Sequence, residues 1–365
     1  MANLSLSPVA RVEHELLLCC ARTTAAPEVV ARLRGLAASD VDWEYLFLIA
    51  RRHALVPLFY RQLDNHASDL VPADQLTRLK KHYLENSARN TLLTAELCRL
   101  IDLFAASGIE AVPYKGPLLA LFAYDNLALR RFVDLDVIVK KTDVLKAREI
   151  LLEQGYTPTK SLSLTQQELL LRTQHNLQFS RDNHRLILEL HWEVAPHLFA
   201  SSVSADKVWS NLITVDLNGT KVKALAADDL LFSLCVHGSR HLWERLSWIC
   251  DVAELISRHR FDWSALLQRA EQSNSDRMFL LGPLLAQKLL DAPLPDEVKQ
   301  RCNNDKQLDS LAANVIEHLF NGATHVPATS REIFKYNIAV RKSLSARARY
   351  LVHMLRPTDS DLGAR

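Results

Sequence analysis

Apolar residues recur at helical spacing through most of the first hundred positions. Val41 to Leu63 shows the pattern, and so does Leu76 to Phe104, where Leu92, Leu93, Ala95, Leu97, Leu100 and Leu103 fall on a helical stripe. Ser107-Gly108 supplies a stop. The period then changes. Ile109 to Tyr114 is a short apolar run that predicts a strand. Pro117 to Tyr124 predicts a helix with proline in its first turn, where the missing N–H is harmless. Arg131 to Lys140 predicts a second strand, and a helix capped by Thr142 or Asp143 runs to Gln154 and stops at Gly155. Strand, helix, strand and helix in close succession indicate an α/β core.

Further strands are predicted at Asn176–Ser180 and Arg185–Trp192, flanking the turn-forming Arg181-Asp182-Asn183-His184. Leu212–Leu217 and Thr220–Leu225 flank Asn218-Gly219, a strong hairpin signal. From Ala227 the pattern is helical to about residue 350. The expected organisation is an N-terminal helical region (1–95), an α/β core (96–225), a C-terminal helical region (226–355) and a tail (356–365). The fold class expected is α+β, mostly helical.

Composition narrows the function classes. With 365 residues, 48% hydrophobic and 24% charged, the chain is ordinary for a globular protein, and nine glycines favour helix over sheet. A net charge of +2 gives no bulk field for nucleic acid. A local patch at Arg130, Arg131, Lys140 and Lys141 is the place to look for one. No apolar run is long enough for a membrane span or a signal peptide. Six scattered cysteines without a CxxC pair read as buried thiols of a cytoplasmic protein.

The candidate chemistry begins at Val133-Asp134-Leu135-Asp136-Val137-Ile138-Val139. Asp134 and Asp136 share one face of this strand, and Leu135, Val137 and Val139 take the other. An isolated Asp-x-Asp is common on solvated strands. Here apolar neighbours and a preceding Lys115-Gly116 make a Mg²⁺ (or Mn²⁺) site the better reading, because a hard cation relieves the repulsion between adjacent carboxylates. Glu189 lies in Leu186-Ile187-Leu188-Glu189-Leu190-His191-Trp192, with Ile187 and His191 on its face, and would supply a third carboxylate. Lys115 and Gly116 lie between a strand and a helix start, a place suited to phosphate, although an ordinary turn with a solvated lysine has the same spacing. Arg130 could face phosphates. His237 and His241 are four apart on a predicted helix, and Glu244, Trp248 and Asp251 would continue their stripe. His191, His237, Arg240, His241 and Asp251 are the candidate substrate contacts, whereas Trp192, Trp243 and Trp248 suit a core.

These residues resemble the uncharacterised nucleotidyltransferase family. The similarity runs from Tyr114-Lys115-Gly116-Pro117 through Tyr124, Arg130 and Asp134-Leu135-Asp136 to Gly155-Tyr156. It continues in Leu188-Glu189-Leu190-His191-Trp192 and in Asp228-Asp229-Leu230-Leu231 through His237, Arg240, His241, Trp248 and Asp251, so it covers roughly residues 90–260. The resemblance implies a polymerase-beta-like fold, a small mixed sheet flanked by helices, with Asp134, Asp136 and Glu189 as metal ligands. Lys115 and Gly116 stand where the wider superfamily has a Gly-Gly or Gly-Ser turn for the triphosphate. The function it implies is transfer of a nucleoside monophosphate from an NTP, such as ATP, to a hydroxyl or amine of a small-molecule, protein or RNA acceptor, with no role for DNA or membrane. Two other functions fit the same residues: a catalytically degenerate partner-binding module, and an RNA-modifying, toxin-like transferase.

Overall fold

The computed structural model describes residues 11–159, 171–172, 174–193, 209–322 and 327–354. The tail expected at 356–365 lies outside the described residues. Helices α1 (Val12–Cys20), α2 (Pro27–Ala37), α3 (Trp43–Arg52) and α4 (Val56–His66) precede the long α5 (Ala73–Ala106). The Val41–Leu63 stripe is thus two helices. Pro57 has no N–H to bond back into α3 and suits the first turn of a new helix, and the chain turns through Ala54 at φ 58°. The stripe survives the break because Leu46, Phe47, Leu58 and Phe59 all enter the same core. Helix α5 ends as expected: Gly108 adopts φ 72°, and the Gly108 and Ile109 N–H groups donate to Ala105 and Phe104.

The sheet contains β1 (Ala111–Pro113), β2 (Leu135–Val139), β3 (Thr157–Pro158), β4 (Asn176–Arg181) and β5 (Leu186–His191). Their order is β1-β2-β5-β4-β3, with β2 and β5 parallel and the other pairs antiparallel. The sheet is therefore small and mixed, as expected. Helix α6 (Gly116–Tyr124) connects β1 to β2, and α7 (Val144–Glu153) follows β2. Two local expectations are corrected. Strand β2 begins at Leu135 rather than Arg131, because β1 is too short, and β5 pairs too late, to bond the earlier residues. Neither Thr142 nor Asp143 caps α7. The chain enters it through a 3-10 turn, and Asp143 already has near-helical angles (φ −97°, ψ −7°), unlike the extended angles of a capping residue. The hairpin β6 (Leu212–Leu217) and β7 (Thr220–Leu225) turns through Asn218 and Gly219, both with positive φ, as the dipeptide predicts.

The chain continues as α8 (Ala227–Arg240), α9 (Leu246–Arg258), α10 (Trp263–Gln272), α11 (Asp276–Leu290), α12 (Asp296–Asn303), α13 (Lys306–Leu319), α14 (Ser330–Ala339) and α15 (Leu344–Met354). There are two hydrophobic cores. One joins α1–α4 to α8–α13, so the N- and C-terminal helices share an interior. The other lies behind the sheet, where Leu135, Val137, Val139, Leu188 and Leu190 meet Leu93, Leu97 and Phe104 of α5. Ile138, on the opposite face of β2, belongs to the first core. The polar end of the β2–β5 face thus lies where the two cores meet.

Two glycines set the approach of α8 to α11. The Trp243 indole is fully buried between Gly238 and Gly282. A Cβ on Gly238 would lie 2.5 Å from the indole, and one on Gly282 would lie 2.6 Å from the Cys235 sulfur. Gly238→Ala should therefore lower stability by about 1–3 kcal/mol, the usual range for overpacking a filled core. The shift in the urea-unfolding midpoint measures it, and an unchanged midpoint would contradict this packing.

Candidate active site

Parallel pairing of β2 with β5 sets Asp136 directly opposite Glu189. His191, two residues further along β5, places Nε2 3.1 Å from Asp136 Oδ1 and 3.3 Å from Glu189 Oε2. The Asp136, Glu189 and His191 ligand atoms all lie within 4.8 Å of one another. Asp134 precedes β2 and lines the same cleft, but its carboxylate is outside that tight group. The metal set expected from sequence is therefore brought to one wall, with His191 drawn into its centre.

The loop into β2 is held from α5. Asn90 is fully buried and donates to the carbonyls of Leu127 and Arg130 at 2.6 and 2.8 Å. Asn86 donates to Ala128 at 2.9 Å, and Arg89 to Val133 at 3.2 Å. The other side of the cleft starts at Lys115, the residue before α6. Its Nζ lies 3.6 Å from Asp136 Oδ1 and donates to His237 Nδ1 at 3.4 Å. Gly116 has φ 54°, and a Cβ there would lie 3.3 Å from the Asp134 carbonyl oxygen. Glycine therefore lets the Lys115 turn pass close beneath the Asp134 backbone.

The carboxylates differ in charge state. Burial, and then repulsion from Asp136 and Glu189, pushes the Asp134 carboxyl up to about 6. Burial opposes ionisation of Asp136 too, but Lys115 and the hydrogen bond from His191 outweigh it and hold its pKa below the usual range. The bond from His191 likewise lowers Glu189. Burial disfavours charge on His191, yet its bonds to Asp136 and Glu189 raise its pKa. Its buried Nδ1 has no hydrogen-bond partner.

The opposite wall is cationic and holds neutral imidazoles. Burial and Arg240 lower His175 to about 3 and His241 to about 4, and burial with Lys115 lowers His237 as well. Arg240 Nη1 lies 3.2 Å from His175 Nε2. His237, His241 and Trp248 form a ring cluster with centroids 4.7–5.6 Å apart. The predicted continuous stripe is corrected here: α8 ends at Arg240, and the chain reverses through Leu242 and Trp243 at φ 54° and 53°. Glu244, Trp248 and Asp251 consequently lie beyond α8, and folding rather than helical spacing brings Trp248 to the histidines. Trp192 and Trp243 are core residues as expected, but Trp248, also expected in the core, lines the cleft, because the reversal after α8 turns it toward His237 and His241.

Arg130, expected at a phosphate, donates through Nε and Nη2 to Asp251 at 2.8 and 3.0 Å. Asp251 is 1% exposed and also accepts from Tyr124 at 2.8 Å. The pair clamps the loop after α6 to α9 and leaves little of either group for a substrate. Sequence reasoning missed His175, Asn176 and Tyr114. Asn176 donates to Glu189 at 2.9 Å, and Tyr114 packs edge-on against His191 at 5.3 Å. The signal for Asn176 was present: Asn176, Gln178 and Ser180 alternate with Leu177 and Phe179, so the polar face of β4 runs beside Glu189.

The cleft encloses about 440 Å³, within the range of small-ligand sites. The model of the uncharacterised nucleotidyltransferase family matches residues 39–291. The chain belongs to that family. The match extends beyond residues 90–260 on both sides and takes in α3, α4, all of α5 and, at the other end, α10 and α11. No curated protein matches the chain. Among solved structures, an antigenic nucleotidyltransferase-like protein from Paracoccidioides brasiliensis aligns at 15% identity with a TM-score of 0.34, covering 55% of this chain and 93% of that one. Among the described residues, no helix is long and apolar enough to cross a membrane.

Asp134 supplies a test of the carboxylate crowding. Its pKa is higher when folded (about 6) than its ordinary 3.8, so the folded state holds the extra proton. Its contribution to stability is full below about pH 4 and is lost as pH rises through 6. Asp134→Asn should therefore stabilise the metal-free protein above pH 6 by on the order of 1 kcal/mol, seen as a higher melting temperature, and have little effect near pH 4. Melting curves across that pH range check it. A variant less stable than the parent at neutral pH would contradict the repulsion.

Proposed function

We propose that the protein is a divalent-metal-dependent nucleotidyltransferase that moves a nucleoside monophosphate from an NTP to a hydroxyl or amine acceptor. The observation that carries the reading is the register of Asp136 opposite Glu189, with Asp134 beside them and Lys115 across the cleft. The donor set fits Mg²⁺ or Mn²⁺. It offers hard carboxylate oxygens on one wall, and burial, then repulsion from Asp136 and Glu189, raises the Asp134 pKa, so a cation there would favour its ionised form. Asp134, Asp136 and Glu189 would hold the metal, and His191 would either join them or withdraw to its second carboxylate partner. When bound, the metal supplies charge neutralisation of the triphosphate and alignment of the acceptor.

The chain's own groups do the rest. Lys115 is held between Asp136 and His237, so a divalent ion at Asp136 would free its ammonium for the triphosphate. Arg240 offers a second cation from α8. The neutral imidazoles His237 and His241 present hydrogen-bonding edges without adding charge. The acceptor oxygen or nitrogen bonds to the α-phosphorus while the bond to the pyrophosphate oxygen breaks. The acceptor's proton passes to the cleft carboxylate least committed to the metal. Pyrophosphate leaves past Lys115. Arg130 acts as a positioning residue through Asp251.

Incubating the protein and a cell extract with α-labelled NTPs and Mg²⁺ should transfer label to an acceptor. Asp136→Asn should reduce transfer by about 10²–10³-fold or more while the fold persists. Unchanged transfer in that variant would reject this site. If calorimetry shows no NTP binding with or without Mg²⁺, the cleft belongs to a non-catalytic binding module.

A further inference from the structure

Arginines continue outward from the cleft along one side of the molecule. Arg131 and Ala54 line both the candidate active site and an adjacent hollow formed by α3, α4 and α5, which Arg51 and Arg89 also line. Arg89 in turn lines a third hollow of about 980 Å³, between α5 and the β4–β5 turn, together with Arg181 and Arg185. Shared walls make these one groove, running from Asp134 past Arg245, Arg131, Arg51 and Arg89 to Arg185. Arg181 is neutralised by Glu96 at 3.1 Å, and Glu85 faces His82 at 3.4 Å. The partners of the others are uncharged: Arg51 lies over the Phe47 ring, Arg89 bonds the Val133 carbonyl and Arg245 lies over the Trp248 ring. Burial, and then the charges of Arg245, Arg89 and Arg51, lower the pKa of Arg131, so the cations crowd one another.

We propose that this groove binds the phosphate backbone of a single-stranded nucleic acid whose end reaches the Asp134–Asp136 cleft. The groove's cations named above are all arginine, the side chain whose planar fork best matches phosphate oxygens. The outer hollow adds an apolar strip, with Leu92 70% exposed and Leu186 half-buried. Such a strip suits the base and sugar faces that a single strand leaves open and a duplex hides. A net charge of only +2 means that this local run, rather than a general basic field, would do the binding. The patch expected from sequence lies elsewhere. Arg130 is paired with Asp251, and Lys140 bonds Glu110 at 3.2 Å at the far end of β2, so only Arg131 of that group belongs to the groove. The inference rests on nucleotidyl transfer only for what happens at the inner end of the groove.

The test is fluorescence anisotropy with a labelled single-stranded RNA across a salt series. Arg51→Gln/Arg185→Gln should weaken binding about fivefold or more at low salt and flatten the log–log salt slope by about 1.4, the value for two lost phosphate contacts. Lys140→Gln/Lys141→Gln, made as the charge-matched control, should bind like the parent. No RNA binding by the parent, equal loss in both double variants, or equal competition by polyglutamate would each overturn the proposal, the last in favour of an acidic protein partner. Calorimetry with each of the four Mn²⁺-NTPs on the same proteins separates the two readings. RNA binding without binding of any NTP sinks nucleotidyl transfer and leaves the groove; NTP binding without RNA binding does the reverse.

Discussion

The crowding of carboxylates at the paired ends of β2 and β5 is the constraint on which the rest of the cleft depends. Two parallel strands in fixed register cannot move Asp136 away from Glu189 without breaking their ladder. The negative charge must be met by other side chains. Lys115 comes from the start of α6, and His191 from two residues along β5, where it bridges both acids. Burial, and then repulsion from Asp136 and Glu189, raises the pKa of Asp134. A buried acidic group of this kind costs stability in the absence of a cation, and such groups persist where charge is to be bound.

Everything around the cleft serves to hold that arrangement. Asn86 and Asn90 convert α5 from a plain amphipathic helix into a clamp on the loop before β2. The Arg130–Asp251 pair ties that loop to α9, and Tyr124 completes the buried bonds. Trp243, seated against Gly238 and Gly282, sets the reversal between α8 and α9, which carries His241 and Trp248 to the cleft. The N-terminal helices share a core with the C-terminal ones, so they brace the side of the cleft opposite the sheet. They also supply Arg51, on α3, to the groove leading outward.

Much of this was legible in the sequence. Period-two alternation around Asp134 and Asp136 showed which side chains face the cleft, and Leu135, Val137 and Val139 are buried behind it as the pattern requires. The same alternation placed Glu189 and His191 together. The Gly108 and Asn218-Gly219 turns form where the residues demand positive φ. The expected stripe from His237 to Asp251 failed because helical spacing continues on paper through Leu242 and Trp243, while the chain reverses there to bury an indole. The expected role of Arg130 changed because its partner, Asp251, is far away in sequence and no local pattern pairs them.

By itself, then, the sequence determined the local periods, the turns forced by glycine and asparagine, and the acidic faces of two strands, since each depends on neighbouring residues alone. Tertiary structure decided the parallel register that sets Asp136 opposite Glu189, the neutralisation of Arg130 by Asp251, and the line of arginines joining α3, α5 and the β4–β5 turn to the cleft. These depend on distances between distant segments. Burial and charge compensation fix those distances only when the two cores close around them.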